Sequence, residues 1–360
     1  MKHLKFVSFV AILAGALMLL LSACQKSGQP AAAQFQTPWQ IPVVVVKYFP
    51  VDENNNIDLA VTGDWGQSLE FTRKKADSLS NGIVEFMNQA SRYHFYKNPR
   101  AEPSLNYQIL QTYEFLEPLP TFEKPGHGVP MTDYNAIVQR IDVRDWVENK
   151  GVKEVWIWGY HGGVIDLWES NMAGPHGDVS NSDRDEADLP MLGKTYTVYH
   201  YNYQRSLKEA IENHMHQIEA LLNHVDGRDE APRKDWPKLL FWGRFVGSDS
   251  THKIVGDPHC GWAHYTPNSE KDYDWANPRY VTSDIEDWKP DWSGERKEMN
   301  CERWNCNSLD WFTLWMQSLP GKDNGLSYQG KPLTDWWVFV GDWDLAKMQN
   351  LKLVEGDYQF

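Results

Sequence analysis

The chain of 360 residues carries 49 acidic against 35 basic side chains, a formal net charge of −14 with histidine neutral. An acidic surface repels phosphate backbones and anionic headgroups, which argues against nucleic acid as a partner and against a basic patch as the means of membrane attachment. Hydrophobic residues make up 41% of the chain, a globular rather than a disordered proportion, and the length suffices for one large core or two smaller ones.

At the start of the chain, Lys2 and Lys5 precede an apolar run from Phe6 to Leu21, which ends in Leu21-Ser22-Ala23-Cys24. That is the layout of a secretory signal peptide, and the run is shorter than the roughly 20 residues of a membrane span. The Leu-Ser-Ala-Cys motif resembles the lipobox of bacterial lipoproteins. The resemblance implies that residues 1–23 are removed and that Cys24 is acylated, palmitate included, and so anchors the protein to a membrane. Gln25 stands where an aspartate would favour retention in the inner membrane, so the resemblance points to a lipid anchor in the outer membrane of the cell envelope. Residues 24–40, rich in Gln, Ala, Ser, Gly and Pro, have the composition of a tether.

The remainder, 41–360, reads as a single α/β domain with a mainly parallel or mixed central sheet and flanking helices. Ile41 to Phe49 is a β-branched run expected to form the first strand. Asp52, Asn54, Asn56 and Asp58 alternate in the loop that follows. Ile57 and Gly63 occupy the positions where a calcium loop needs glycine and glutamate, so a polar turn is expected instead. From Ser68 to about Tyr93 apolar residues recur at helical spacing, including Leu69, Ala76, Leu79, Ile83, Phe86 and Ala90. Leu105 to Leu116 reads as a second strand, 118–130 as a proline-rich loop, and Asp133 to Asn149 as one or two helices. Val155 to Trp158 then forms an apolar run suited to a central strand, which breaks into Gly159-Tyr160-His161-Gly162-Gly163. In an open α/β sheet, ligands bind beyond the carboxyl ends of such strands.

Past this break, Asp178 to Asp188 is an acidic run without hydrophobic period, of a kind that is usually functional or mobile. Thr195 to Tyr203 returns to a strand. Ser206 to Val225 is a helix with a capping box, Ser206 and Glu209, and Gly227 just beyond its end. Its apolar stripe includes Leu207, Ile211, His214 and Ile218; its polar stripe is Glu212, His216, Glu219 and Asn223. His214 is therefore expected as a core histidine. His216 and Glu219 lie three apart and suit a divalent metal or a shared proton, the alternative being a solvated face. From about residue 256 the chain becomes loop-rich, with ten of the 18 tryptophans between Trp262 and Trp343. Two readings stand side by side, a stacking platform for sugars and a tryptophan-packed core without regular sheet. Ser308 to Leu319 reads as a short helix and Trp336 to Val340 as a late strand. Cys260, Cys301 and Cys306 predict one disulfide and one free thiol in an oxidising compartment, with the pairing left open. A nucleophilic cysteine beside His259 or His264 is one alternative.

No HExxH, GxSxG, Walker loop or GxGxxG after a strand is present. The polar residues that fall in loops are His161, Glu169, His176, Asn181, His259, His264, Asp272 and Asp274. Three functions fit them. One is a glycan hydrolase with Glu169 as acid, next to Trp168, and Asp272 or Asp274 as the second carboxylate. Another is a metal-dependent hydrolase with ligands drawn from His161, His216, Glu219 and His264. The third is a non-catalytic binder of polysaccharide. In each, the segments Gly159 to Gly163, the Glu169 loop and the loop from His259 to Asp274 are expected to line one concave site, with Asn181, His161 and His264 on the ligand and Trp262 and Trp275 as walls.

Overall fold

A computed structural model describes residues 37–356 and 358, and these belong to one compact unit that begins at Thr37. The signal peptide, the lipobox cysteine Cys24 and most of the expected tether lie outside the described residues. The last tether residues, Trp39 and Gln40, instead open the first strand, β1 (Trp39–Tyr48). No helix among the described residues is long and apolar enough to cross a membrane.

β1 pairs in parallel with β2 (Leu105–Phe115) on one side and β3 (Glu154–Gly159) on the other. β4 (Ser170–Ala173) is a short antiparallel edge strand, and β5 (Tyr196–Asn202) runs parallel to β3 between them, giving the order β2-β1-β3-β5-β4. The fold is thus α/β with a mixed, mostly parallel five-stranded sheet. Every residue of β3 is buried, as expected of a strand covered on both faces. Strand order reverses between β1 and β3, which makes the carboxyl end of β3 the topological switch point of the sheet.

Helix α1 (Leu69–Ala90) begins where the Ser68 hydroxyl accepts a hydrogen bond from the Phe71 amide. Its buried stripe is Leu69, Thr72, Ala76, Ser80, Ile83, Met87 and Ala90. Thr72, Ser80 and Met87 thus sit where the apolar count placed Leu79 and Phe86. The polar members are satisfied in place: the Ser80 hydroxyl donates to the Ala76 carbonyl and accepts from the Trp158 indole at 2.8 Å. The loop after β1 is a polar turn, in which Asp52 accepts the amides of Asn54 and Asn56. Helix α2 (Tyr134–Arg140) leads toward β3, and helix α3 (Leu207–Val225) follows β5 with both halves of the capping box formed. In the loop-rich part, helix α4 (Ser308–Ser318) forms as expected, but Trp336 to Val340 does not form a strand. Its second half enters the short helix α5 (Val338–Gly341), because a buried apolar run of this length carries no period that separates strand from helix. Eight of the ten tryptophans from Trp262 to Trp343 are buried, leaving Trp275 partly and Trp292 largely exposed. Most of them therefore build the core of the loop region rather than a surface platform. The disulfide joins Cys301 to Cys306, and Cys260 is free and buried.

One carboxyl is built into the sheet itself. Glu154, at the start of β3, accepts from Tyr107 at 3.0 Å and from the Trp156 indole at 2.7 Å, and burial lifts it from its usual 4.5 to about 7. Between those two values the folded protein keeps a proton that the unfolded chain has lost, so stability falls as pH rises through the window. The thermal midpoint should accordingly drop between pH 5 and pH 8, and Glu154→Gln should flatten part of that drop. A variant with the parent's pH dependence would contradict the assignment.

Candidate functional site

Helix α3 is the element on which the site is built. Its polar stripe does not face solvent: Glu219 is 6% and Asn223 2% exposed, and Glu212 only 9%. One side of the helix lies on the sheet, where the Tyr201 hydroxyl meets His214 Nε2 at 2.7 Å and burial pushes His214 down to about 3, a core histidine as expected. The other side is covered by the loop that carries His264. There, Glu212 Oε1 lies 2.9 Å from His264 Nε2 and 3.8 Å from His216 Nε2, and the two Nε2 atoms are 3.1 Å apart. These three donor atoms form a cluster suited to a metal ion, with all of them within 4.8 Å of one another.

The far sides of both imidazoles face carboxylates. Glu219 Oε2 sits 3.2 Å from His216 Nδ1, and its other oxygen accepts the Ala263 amide at 2.8 Å, which pins the His264 loop to the helix. Asp272 Oδ1 lies 3.6 Å from His264 Nδ1, too long for a direct hydrogen bond. With Glu219 at His216 Nδ1, the Nε2 atoms of both imidazoles meet each other and Glu212, a set of atoms that can share a proton or ligate a cation. Burial works to raise the Glu212 carboxyl, but hydrogen bonds and charge from His216 and His264 outweigh it and hold it near 2. Glu219 thus stands behind His216, and the carboxylate that meets the two imidazoles is Glu212. The expected i, i+3 pair of His216 and Glu219 meets at Nδ1, where a proton can be shared, and it is the i, i+4 partner Glu212 that lies on the Nε2 side.

Glu212, alone of the three clustered residues, lines a cleft of about 650 Å³ beyond the carboxyl ends of β3 and β5. His161, Glu169, Asn181, Glu212, Tyr273 and Trp275 are among its lining residues, so each of the three expected segments reaches the cleft, the third through Tyr273 alone, while His264 is not among the lining residues. Asn181 donates to Glu169 Oε2 at 2.5 Å and fixes that carboxylate. The acidic run around Asn181 is latched from outside by Lys124, which contacts Asp183, Asp185 and Asp188. From inside, Gln217 of α3 accepts from the Ser170 hydroxyl at 2.7 Å and donates to the Val179 carbonyl at 2.7 Å, and the same hydroxyl accepts the Asn181 amide. His161 Nδ1 is turned to the Ile165 carbonyl at 2.5 Å. Gly159 is required for close approach rather than for positive φ: a Cβ there would stand 2.6 Å from Leu119 and 2.8 Å from His200. Gly162 does have φ +51°, and its missing Cβ would lie 2.2 Å from the Thr62 carbonyl.

Several expected residues fall elsewhere. Asp274 is not among the lining residues: its Oδ2 closes its own turn on the Glu270 amide and the Asn277 side chain. Asp272 supports His264 instead of facing the cleft. Trp262 packs behind His264, ring centres 4.8 Å apart, and only Trp275 forms a wall. His176 borders a separate groove, and His259 is engaged by Asp284 at 2.9 Å. Cys260 is fully buried and its thiol is pushed well up by burial, so it is no nucleophile. Glu212, Arg205 and Tyr273 were not singled out from sequence. The spacing Glu212-x-x-x-His216 was a usable signal; Tyr273, a non-glycine residue at φ +61° over His264, had none.

The fold and site define an α/β protein with a carboxylate–imidazole centre on the helix that follows β5, next to a cleft beyond the carboxyl ends of β3 and β5. Compared with known protein families and with curated protein sequences, the chain matches none. The geometry makes a prediction of its own: Gln217→Ala should cost about 1–3 kcal/mol in denaturant unfolding, because it leaves the buried Ser170 hydroxyl and Val179 carbonyl without their partner. A change below about 0.5 kcal/mol would mean that this tie does not hold the segment.

Proposed function

We propose that the protein is a metal-dependent hydrolase whose divalent ion, zinc by the donor set, is held by Glu212, His216 and His264, with Glu169 as general base. The observation that carries this reading is the spacing of the three donor atoms. A tetrahedral zinc ion with bonds of about 2.0–2.1 Å separates its ligand atoms by roughly 3.3–3.4 Å. The separations of 2.9, 3.1 and 3.8 Å bracket that value. Two imidazoles and one carboxylate are also a known catalytic zinc set, which leaves one position open to water.

A zinc ion held there supplies a water acidified to a pKa of about 7 and polarises a carbonyl oxygen. Glu219 keeps His216 turned with Nε2 toward Glu212 and His264, the usual carboxylate support for a ligating histidine. Glu169 borders the cleft close enough for its charge to act on His216, and Asn181 occupies one of its oxygens, which leaves the other for a water proton. In the reaction, water oxygen bonds to a carbonyl carbon while its proton passes to Glu169. The ester or amide bond then breaks, and Glu169 returns the proton to the leaving group. The paired-carboxylate glycosidase has less support, since Asp274 closes its own turn and Asp272 stands behind His264. On the Cys24 motif alone, we assign this activity to the cell envelope, with the domain anchored by acyl chains.

Purified protein should bind about one zinc ion per chain. Glu212→Gln and His264→Ala should each weaken binding by at least 100-fold, and Glu219→Gln by about 10–100-fold. Glu169→Gln should keep the zinc and lose hydrolysis of an activated ester such as p-nitrophenyl acetate. Undiminished zinc binding in the Glu212 and His264 variants would end this reading.

A further inference from the structure

The charges that line the cleft are not all balanced. Asp166 is paired with His127 at 2.7 Å, Glu212 with His264, and Glu209 with its capping box and Lys208, while Glu169 accepts a hydrogen bond from the neutral Asn181. Lys208 lies over the Trp275 ring at 5.4 Å. Among the cations the exception is Arg205. Its backbone amide donates to the Asn202 carbonyl, but among the described residues its guanidinium has no hydrogen bond or ion pair. Arg205 is exposed at the rim of the cleft, where its guanidinium is open to an incoming anion. Its charge acts on the hydroxyl of Tyr273, which the charges of Glu212 and Glu169 also reach. Arg205 lines the cleft together with Tyr273 and Trp275; the Tyr273 ring packs on His264 at 4.2 Å between ring centres, is 54% exposed and stands edge-on to Trp275 at 5.3 Å.

We propose that the cleft binds an acidic carbohydrate, with the sugar carboxylate on the Arg205 guanidinium and the sugar ring against Tyr273 and Trp275. A planar guanidinium matches a carboxylate through two parallel hydrogen bonds, and exposed aromatic faces suit the apolar faces of sugar rings. This rests on the hydrolase reading for the bond that reacts. Water activated at such a centre attacks carbonyl carbon, so the group removed is an acyl substituent on the sugar: water oxygen joins the acyl carbon, the ester C–O bond breaks, and the sugar hydroxyl takes the proton.

The test is calorimetric titration of the full-length, zinc-loaded protein in detergent with trigalacturonate, neutral galactotriose and inorganic phosphate. Trigalacturonate should bind at least tenfold more tightly than either of the others, and Arg205→Gln should remove that advantage while zinc content stays at the parent's level. Equal trigalacturonate binding by parent and variant, or phosphate binding as tight as that of trigalacturonate, overturns the proposal. Arg205-dependent uronate binding by a protein that takes up no zinc would sink the hydrolase reading and uphold this one.

Discussion

Burial of the polar stripe of α3 is the constraint from which the site follows. Glu212, His216 and Glu219 lie on a helix enclosed by the sheet on one side and the His264 loop on the other, so each charge has lost most of its water. Buried ionisable groups persist only when paired, and removing one partner of such a pair typically costs about 3–5 kcal/mol. Here the pairing is mutual. Glu219 joins His216 to the backbone of Ala263, so one carboxylate both orients an imidazole and sets where His264 arrives. The result is a preorganised pocket of donor atoms rather than a loop that must close to form one.

The sheet determines where the cleft beside this pocket opens. It lies beyond the carboxyl ends of the neighbouring strands β3 and β5, the side of an open α/β sheet on which ligands bind. His161 comes from the end of β3 and Arg205 from the turn after β5, while Glu169 and Asn181 come from the segment around edge strand β4. Gly159 lets that crevice exist, since any side chain there would strike Leu119 and His200. The tryptophan-rich region contributes mass more than surface. With Trp304, Trp311, Trp315 and Trp336 buried, it forms the second wall that presses the His264 loop onto α3.

How much of this could be read from the residues differs by element. The strands at Ile41 to Phe49 and Val155 to Trp158 were legible because a fully covered strand must be continuously apolar, and both lie in the one sheet. Helix α3 was legible from its capping box and stripes, and the approach of His161 and Glu169 to one cleft followed from where ligands sit in such folds, whereas His264 lies against Glu212 and His216 and does not line that cleft. Which carboxylate meets both imidazoles was not legible. On the helix surface Glu212 and Glu219 both neighbour His216, and only the approach of Ala263 and His264 decides which of them faces inward. Asp274 was misread for a related reason: in a loop without period, a carboxylate that closes its own turn looks the same in sequence as one that faces a ligand. The buried character of the tryptophans was open for want of any strand or helix pattern around them.

The central claim is that Glu212, His216 and His264 hold one metal ion together. X-ray absorption at the zinc edge of the zinc-loaded protein tests it most directly. The account predicts four light-atom ligands at about 2.0–2.1 Å with the outer-shell scattering of two imidazoles, and one imidazole fewer in His264→Ala. A spectrum without imidazole scattering, or one unchanged in that variant, would contradict it.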